Sequence, residues 1–595
     1  MVSYSAPLED VRFVLHELFD YDGTVASLPG YEEATPDLVD AVLEEGARFC
    51  ENVLLPLNRS GDEEGCRFEN GVVRTPAGFK EAYDAFVEGG WLSLACDPRY
   101  GGQGLPKTLQ FILDEFVCST NLSFGIYPGL SWGAYRALAL HGSEAQKALY
   151  LPQLAKGTWS GTMCLTEPHC GTDLGLIRTR AEPDGAGGYR ITGGKIFISA
   201  GEHDLTENIV HLVLAKLPDA PPGTRGISLF VVPKFQVKPD GTLGPRNGVT
   251  CGSIEHKMGI KGSSTCAMNF DGAAGELVGA PHSGMRAMFT MMNAARLVVG
   301  IQGLGLAETA YQSAVAYARE RLQGRALSGP RFPDKAADPI IVHPDVRRTL
   351  LTMRAYNEGA RALALWVGMA LDVAEQHPDP TTRQEADDLV ALMTPIIKAF
   401  LTDCGFEVTN LGMQLFGGHG YIRETGVEQL VRDARIAQIY EGTNGIQALD
   451  LVGRKLPQHM GRLLRRFFHP VAAFLEGHQE SPEAAEFILP LAKAFGRLQQ
   501  ATAWVAQQGL RDPDEAGAAA SDYLRLFALV ALAYIWARAA LVARTRVDGE
   551  NGAFYQAKLA TARFFMARLL PQSSSLFSAI MSGAKPVMAP EESWF

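Results

Sequence analysis

The sequence predicts a mainly α-helical protein with a β-rich segment set into its first half. Three observations carry this. Long stretches with few helix breakers lie on both sides of residues 160–280. Between those limits the apolar residues fall into short runs of Val, Ile, Leu and Phe bounded by Pro, Gly and Asn, the pattern of strands. Beyond residue 455 the chain returns to long helical patterns separated by polar linkers. At roughly 150 residues per structural unit the chain makes about four. The changes of pattern put their limits at 1–160, 161–280, 281–455 and 456–595.

Each element has a local reason. Thr35-Pro36-Asp37 supplies an N-cap, a proline at the first helical position and an acid in the first turn, so a helix starts there. In the β segment, 189–192 and 195–199 alternate on either side of Gly193-Gly194, which predicts a hairpin with a two-glycine turn. The runs 209–215, 226–232 and 267–270 predict further strands. Helices follow over 284–321, 344–376 and 386–412. The glycine-rich FGGHGYI (416–422) interrupts them, and a short helix covers 444–454. The last block predicts helices at 481–508, 521–546 and 553–570, with linkers at 509–520 and 547–552.

Composition excludes several function classes. Apolar residues make up 47% and charged residues 20%, enough for a packed core and too few charges for a disordered chain. The net charge of −12 argues against a nucleic-acid groove, which needs clustered Lys and Arg. The N-terminus carries no basic and apolar leader. The longest apolar run, 526–537, is shorter than the roughly 18–20 residues of a membrane span and suits a buried bundle helix. The nine cysteines are scattered, with no CxxC, as expected of reduced thiols in a cytoplasmic protein. The histidines show no HExxH, so no metal site is expected, and His169, His203, His256 and His419 read as turn or surface residues. GLSWG (129–133) matches a serine-hydrolase elbow but lies in a helical region with no strand before it.

Two segments carry chemistry. MCLTEPHCGTD (163–173) is a tight loop of glycines, hydroxyls and acids at the start of the β segment. Its free backbone N–H groups suit a heteroaromatic edge or a phosphate. In IYEGTNGIQ (439–447), Glu441 precedes Gly442, which lets a ligand approach the backbone, and Thr443 can cap the helix that follows.

Together and in this order, these segments resemble the acyl-CoA dehydrogenase family over about residues 35–455. The resemblance implies an N-terminal helical domain, a middle β-barrel or sandwich and a C-terminal four-helix bundle, here followed by an extra helical domain. It implies FAD as cofactor and trans-2-enoyl-CoA formation from an acyl-CoA. MCLTEPHCGTD resembles the flavin-contacting loop, which assigns FAD contacts to Met163, Leu165, Thr166, Gly171 and Thr172. KIFIS (195–199) resembles the next strand, with Phe197 and Ser199 over the flavin. RLQGR (321–325) and QLFGGHGY (414–421) resemble segments that reach a neighbouring subunit's FAD, through Arg321, Gln414, Gly417 and Gly418. IYEGT resembles the segment of the catalytic base, which makes Glu441 the base, Thr443 a cofactor contact and Tyr440 and Gly442 substrate contacts. The resemblance implies further substrate contacts at Thr172 and Arg296. The family's usual Trp is Phe197 here and its frequent Gln is Gly445. The alternative base position is Ala295, which leaves Glu441 as the matching carboxylate.

The long form, with its C-terminal extension, resembles a bacterial subgroup whose members include enzymes of 3-methylthiopropionyl-CoA, from dimethylsulfoniopropionate breakdown. That substrate or another short acyl-CoA is expected, with medium- or long-chain acyl-CoAs as the alternative. Electron-transfer flavoprotein is the implied acceptor and a homodimer the implied assembly. An acyl-CoA oxidase would differ by rapid peroxide formation. A DNA-binding flavoprotein of the same fold conflicts with the net charge.

Overall fold

Residue type explains where the sheet forms. Trp159–Cys164 (β1), Asn208–Lys216 (β4) and Ile227–Pro233 (β5) are runs buried nearly throughout, as strands covered on both faces must be. Arg180–Pro183 (β2), Tyr189–Ser199 (β3), Val249–Ile254 (β6) and Thr265–Val278 (β7) alternate more and have one face in water. The structure, a computed structural model, describes residues 2–595. It divides the chain into two units, Val42–Val298 and a second made of the residues up to Ala41 with Val299–Phe595.

In the first unit the strand order is β6-β7-β3-β2-β4-β1, and β5 pairs with both β7 and β4. The ring β7-β3-β2-β4-β5 is therefore closed. Closure removes the edges of its strands. Ile191, Ile198, Val213, Phe230, Val232 and Phe270 fill its core. The β1–β4 and β2–β4 pairs are parallel and the others antiparallel.

The expected hairpin at Gly193-Gly194 is not formed: 189–199 is one continuous strand. A Cβ at Gly193 would lie 2.5 Å from Thr179 Oγ1 and 2.9 Å from Thr179 Cα, so this glycine permits a close crossing instead of a turn. The strands β1, β2 and β6 were not predicted at all.

Helix Lys107–His141 is two helices joined at Asn121, whose backbone is extended (φ −158°, ψ 86°). Asn121 Oδ1 accepts from Phe124 N–H at 3.0 Å and so caps the second helix. GLSWG lies inside that second helix. Ser131 Oγ donates to Tyr127 O (3.0 Å) and accepts from Gly161 N–H (3.2 Å), so no nucleophile elbow exists there.

The second unit is helical, with Pro344–Gln376, Pro380–Leu415, Arg462–His478, Ala485–Gly509, Pro513–Arg544 and Gly552–Phe564 as its main rods. The expected linker at 509–520 is mostly helix. Asp512 accepts from Asp514 N–H (3.0 Å) with Pro513 at the first position, so the polar stretch is a helix start. Arg462–His478 was not predicted. Two rods, Pro380–Leu415 and Pro513–Arg544, are long and apolar enough to cross a membrane, but 78% and 83% of their most apolar stretches are buried within the protein. The N-terminal segment ties this unit together: buried Asp10 accepts from both Arg361 and Lys558. All nine cysteines are free thiols.

Candidate active site

The β unit presents the first group of predicted residues on a distorted strand. Cys266 pairs with Ile198 and Met268 with Lys195, so Ile196 and Phe197 together face Ala267 alone. This is a β-bulge, which turns a side chain out of register. Phe197 takes up the distortion with a left-handed backbone (φ +57°), and its ring is 58% exposed. A bulky residue in this conformation costs of order 1–3 kcal/mol and persists only where its surroundings impose it.

Those surroundings are a buried ion pair and the loop it fastens. Lys195, with no exposed surface, donates to Leu165 O and to Glu167 Oε1, both at 2.9 Å. Glu167 also accepts from Arg178 N–H (2.7 Å), Thr179 N–H (3.0 Å) and Thr179 Oγ1 (2.6 Å). Burial raises the acid's pKa, but Lys195 and these donors outweigh it and hold the carboxyl down at about 2. Ile196 N–H donates to Thr166 O (2.9 Å) and stitches the loop to β3. Gly171 and Thr172 remain exposed on this loop, Met163 is buried at the end of β1, and Ser199 ends β3 half-buried. Glu167, His169 and Cys170 bring three possible ligand atoms within 4.8 Å, but Lys195 already neutralises the carboxylate. Arg296 is buried, 3.4 Å from Asn293 Oδ1 and over the Phe289 ring.

One expectation fails here. His203 is buried, not at the surface, and lies 2.9 Å from Ser160 Oγ. Burial, aided by nearby Lys234, pushes its pKa down to about 3, so it is neutral.

The helical unit presents the second group. Glu441 (φ +57°) and Gly442 (φ +80°) form a left-handed pair before helix Asn444–Asp450. Tyr440 Oη donates to Gln302 Oε1. Thr443 holds the N-cap position, but its hydroxyl makes no capping bond. Asn444 anchors the turn, accepting from Lys398 Nζ (2.8 Å) and donating to Asp403 Oδ1 (2.7 Å). Behind the turn, buried Gln447 donates through Nε2 to Glu441 O (3.1 Å) and Gly442 O (3.2 Å).

In the same unit, Tyr317 stacks on Phe416 at 4.2 Å and its hydroxyl lies 3.2 Å from His419 Nδ1. That contact sets the end of helix Gly284–Glu320, with exposed Arg321 just after it, against the Gly417–Tyr421 loop. Gln414, Gly417 and Gly418 are exposed, and a Cβ on either glycine would meet nothing within 4 Å. Such an open glycine pair leaves room for a bulky anionic group close to the backbone.

The sequence matches the acyl-CoA dehydrogenase N-terminal domain over residues 38–158, its middle domain over 162–273 and its C-terminal domain over 282–456. Residues 467–591 match a further domain described as acetyl-CoA dehydrogenase C-terminal like. The 3-methylmercaptopropionyl-CoA dehydrogenase of Ruegeria pomeroyi is 46% identical over 97% of this chain and 98% of its own. This chain belongs to the acyl-CoA dehydrogenase family. A broad-specificity linear acyl-CoA dehydrogenase of Mycobacterium tuberculosis is 32% identical over the whole of both chains. A solved Bacillus anthracis acyl-CoA dehydrogenase complexed with FAD has the same fold, with a TM-score of 0.73 over 99% of this chain and 93% of its own at 22% identity.

For this acyl-CoA dehydrogenase, sequence reasoning singled out the residues at the tips of the strained segments. It missed the braces Lys195, Tyr317 and Gln447. Gln447 alone left a signal: an amide on the first helical turn after Gly442 is placed to reach back to the turn.

Proposed function

We propose that this chain is an FAD-dependent acyl-CoA dehydrogenase in which Glu441 removes the α-proton of an acyl-CoA thioester, giving a trans-2-enoyl-CoA. The observation that carries the reading is the strained turn at Glu441, a cost kept where the resemblance requires the base. FAD, when bound, supplies the acceptor for the β-hydride. Met163, Leu165, Thr166, Gly171, Thr172, Phe197 and Ser199 would hold it from the β unit. Arg321, Gln414, Gly417, Gly418 and Thr443 would hold it from the helical unit, the first four reaching a partner subunit's FAD. The exposed ring of Phe197 and the open glycines of 417–418 fit a flat ring system and a pyrophosphate.

A thioester α-proton is a weak acid, so the developing enolate oxygen needs a donor. The backbone N–H of Glu441 fills that role, worth roughly 3–4 kcal/mol for one well-placed donor. Tyr440, Gly442, Thr172 and Arg296 are the proposed acyl-CoA contacts.

The proposed substrate is 3-methylthiopropionyl-CoA, the same acyl group as in the name of the Ruegeria relative, supported by 46% identity over nearly the full length. A broader range of linear acyl-CoAs is the second reading, supported by the Mycobacterium relative. Electron-transfer flavoprotein is the proposed acceptor, and a homodimer the proposed assembly; a monomer by light scattering with FAD bound would refute the latter.

Anaerobic titration with acyl-CoAs from butyryl to palmitoyl, including 3-methylthiopropionyl-CoA, tests the reading. Bleaching of the oxidised flavin band is expected, fastest with the true substrate. Glu441→Gln should keep FAD and acyl-CoA binding and lose nearly all bleaching. Substantial turnover by that variant would remove Glu441 from its role.

A further inference from the structure

We infer that Gln447 is a positioning residue for the reaction: its carboxamide holds Glu441 in the left-handed backbone from which that carboxylate works. The inference rests on the reading of Glu441 as the base and adds a residue to it.

The argument begins with what the turn lacks. Residues 441–442 precede helix Asn444–Asp450, so their carbonyls lie outside its hydrogen-bond ladder. A residue with a Cβ disfavours the left-handed backbone that Glu441 adopts. Left alone, this segment would relax, swinging both the Glu441 side chain and the peptide that follows it.

Gln447 opposes that relaxation at two points. Its Nε2 hydrogens go to two successive carbonyls, Glu441 O at 3.1 Å and Gly442 O at 3.2 Å. One rigid amide thus fixes the peptide planes on both sides of Gly442, and with them ψ of Glu441. Gln447 is itself packed in place. It has no exposed surface, and its backbone N–H donates to Thr443 O at 3.0 Å. Its Oε1 is buried and accepts from no described protein group, so the amide is engaged from the donor side alone. The residue behind the turn must offer two hydrogens and carry no charge. A cation could donate, but it would lower the proton affinity of a carboxylate that needs to be basic. An anion would repel both carbonyls.

Two variants test this, read by the rate of anaerobic flavin bleaching at saturating acyl-CoA. Gln447→Leu keeps the volume and removes both donors. It should slow bleaching about tenfold to hundredfold, the loss that a misplacement of up to an ångström gives. FAD content should stay unchanged, and acyl-CoA affinity should stay within about twofold, because the base acts on the reacting atom and not on substrate capture. Gln447→Glu separates positioning from mere packing. As a neutral acid it can still donate one hydrogen; ionised, it donates none and repels the turn. Its bleaching rate should fall as pH rises through the titration of the new acid, on a limb that the wild type and Gln447→Leu do not show. Wild-type bleaching with an unchanged rate in Gln447→Leu, or a Gln447→Glu profile parallel to the wild type, would overturn this inference and leave Glu441 as the base. A wild-type protein that no acyl-CoA bleaches would overturn the underlying reading and this inference with it.

Discussion

Phe197 and Glu441 lie in different units, one on a strand and the other in a turn before a helix, yet both carry a left-handed backbone at φ +57°. Their supports differ in kind. Phe197 is held by a bulged strand pairing and, through the adjoining Lys195, by a buried ion pair to Glu167. Glu441 is held by a neutral amide. Lys398 and Asp403 reach the same turn through the side chain of Asn444. The difference follows from what each residue must do. A phenyl ring does not titrate, so a strong field near it is harmless. A carboxylate that must accept a proton is sensitive to every nearby charge.

The ion pair is where the comparison can be broken hardest. Lys195→Met takes the lysine from buried Glu167 and leaves it the Arg178 and Thr179 donors with His169 3.7 Å away; removing one partner of a buried pair costs about 3–5 kcal/mol. A large fall in the thermal midpoint is expected, with loosening of the 165–173 loop visible as faster proteolysis or hydrogen exchange there. Adding Glu167→Gln to Lys195→Met should recover part of the loss, because the orphaned charge is gone. Equal midpoints for the single and double variants would mean that packing, not charge, sets the loop.

Acid should act on the same pair and spare the neutral brace. The folded pKa of Glu167 lies near 2, below its ordinary value of 4.5. Its contribution is therefore complete above about pH 4.5 and is lost as pH falls toward 2, by no more than about 3 kcal/mol. The same burial pushes Lys195 down, so the pair as a whole is worth less than the acid's shift. Hydrogen exchange between pH 5 and 3 should show 165–173 loosening before 439–447. The reverse order would place the weaker support at Gln447.

What the sequence could and could not convey follows from the range of each signal. Helix 344–376 was legible to the residue because Pro344, a stretch interrupted only by Gly359 and Gly368, and the following prolines are all local. The loop and turn motifs were legible as sequence strings. The role of Gly193 was not, because the same dipeptide that makes a hairpin turn also admits a crossing chain, and only Thr179 reveals which. Asp512-Pro513 was read as part of a linker because its polar residues masked a helix start that its cap geometry makes plain. His203 and Lys195 look like solvent-facing residues in any local window; their burial depends on Ser160 and Glu167, which lie 43 and 28 residues away. The left-handed backbone at Phe197 is likewise a product of register with β7, which no local pattern encodes.

The smallest effect is the most direct test of the strain itself. At an ordinary strand or helix position, Ala is more stable than Gly by about 0.5–1 kcal/mol, since Gly loses more freedom on folding. At a left-handed position a Cβ costs about 1–2 kcal/mol, which reverses the order. Phe197→Gly should therefore unfold at a higher temperature than Phe197→Ala, and Glu441→Gly at a higher temperature than Glu441→Ala, each by about 0.5–1 kcal/mol after the two terms offset. Comparing Ala with Gly at one site cancels the lost ring or carboxylate, so the order of midpoints reads the backbone alone. If the reversal holds at 441 and fails at 197, the bulge can relax once the ring is gone, and the strand is the softer of the two supports. If it holds at both, the surroundings impose the left-handed backbone whichever side chain is there.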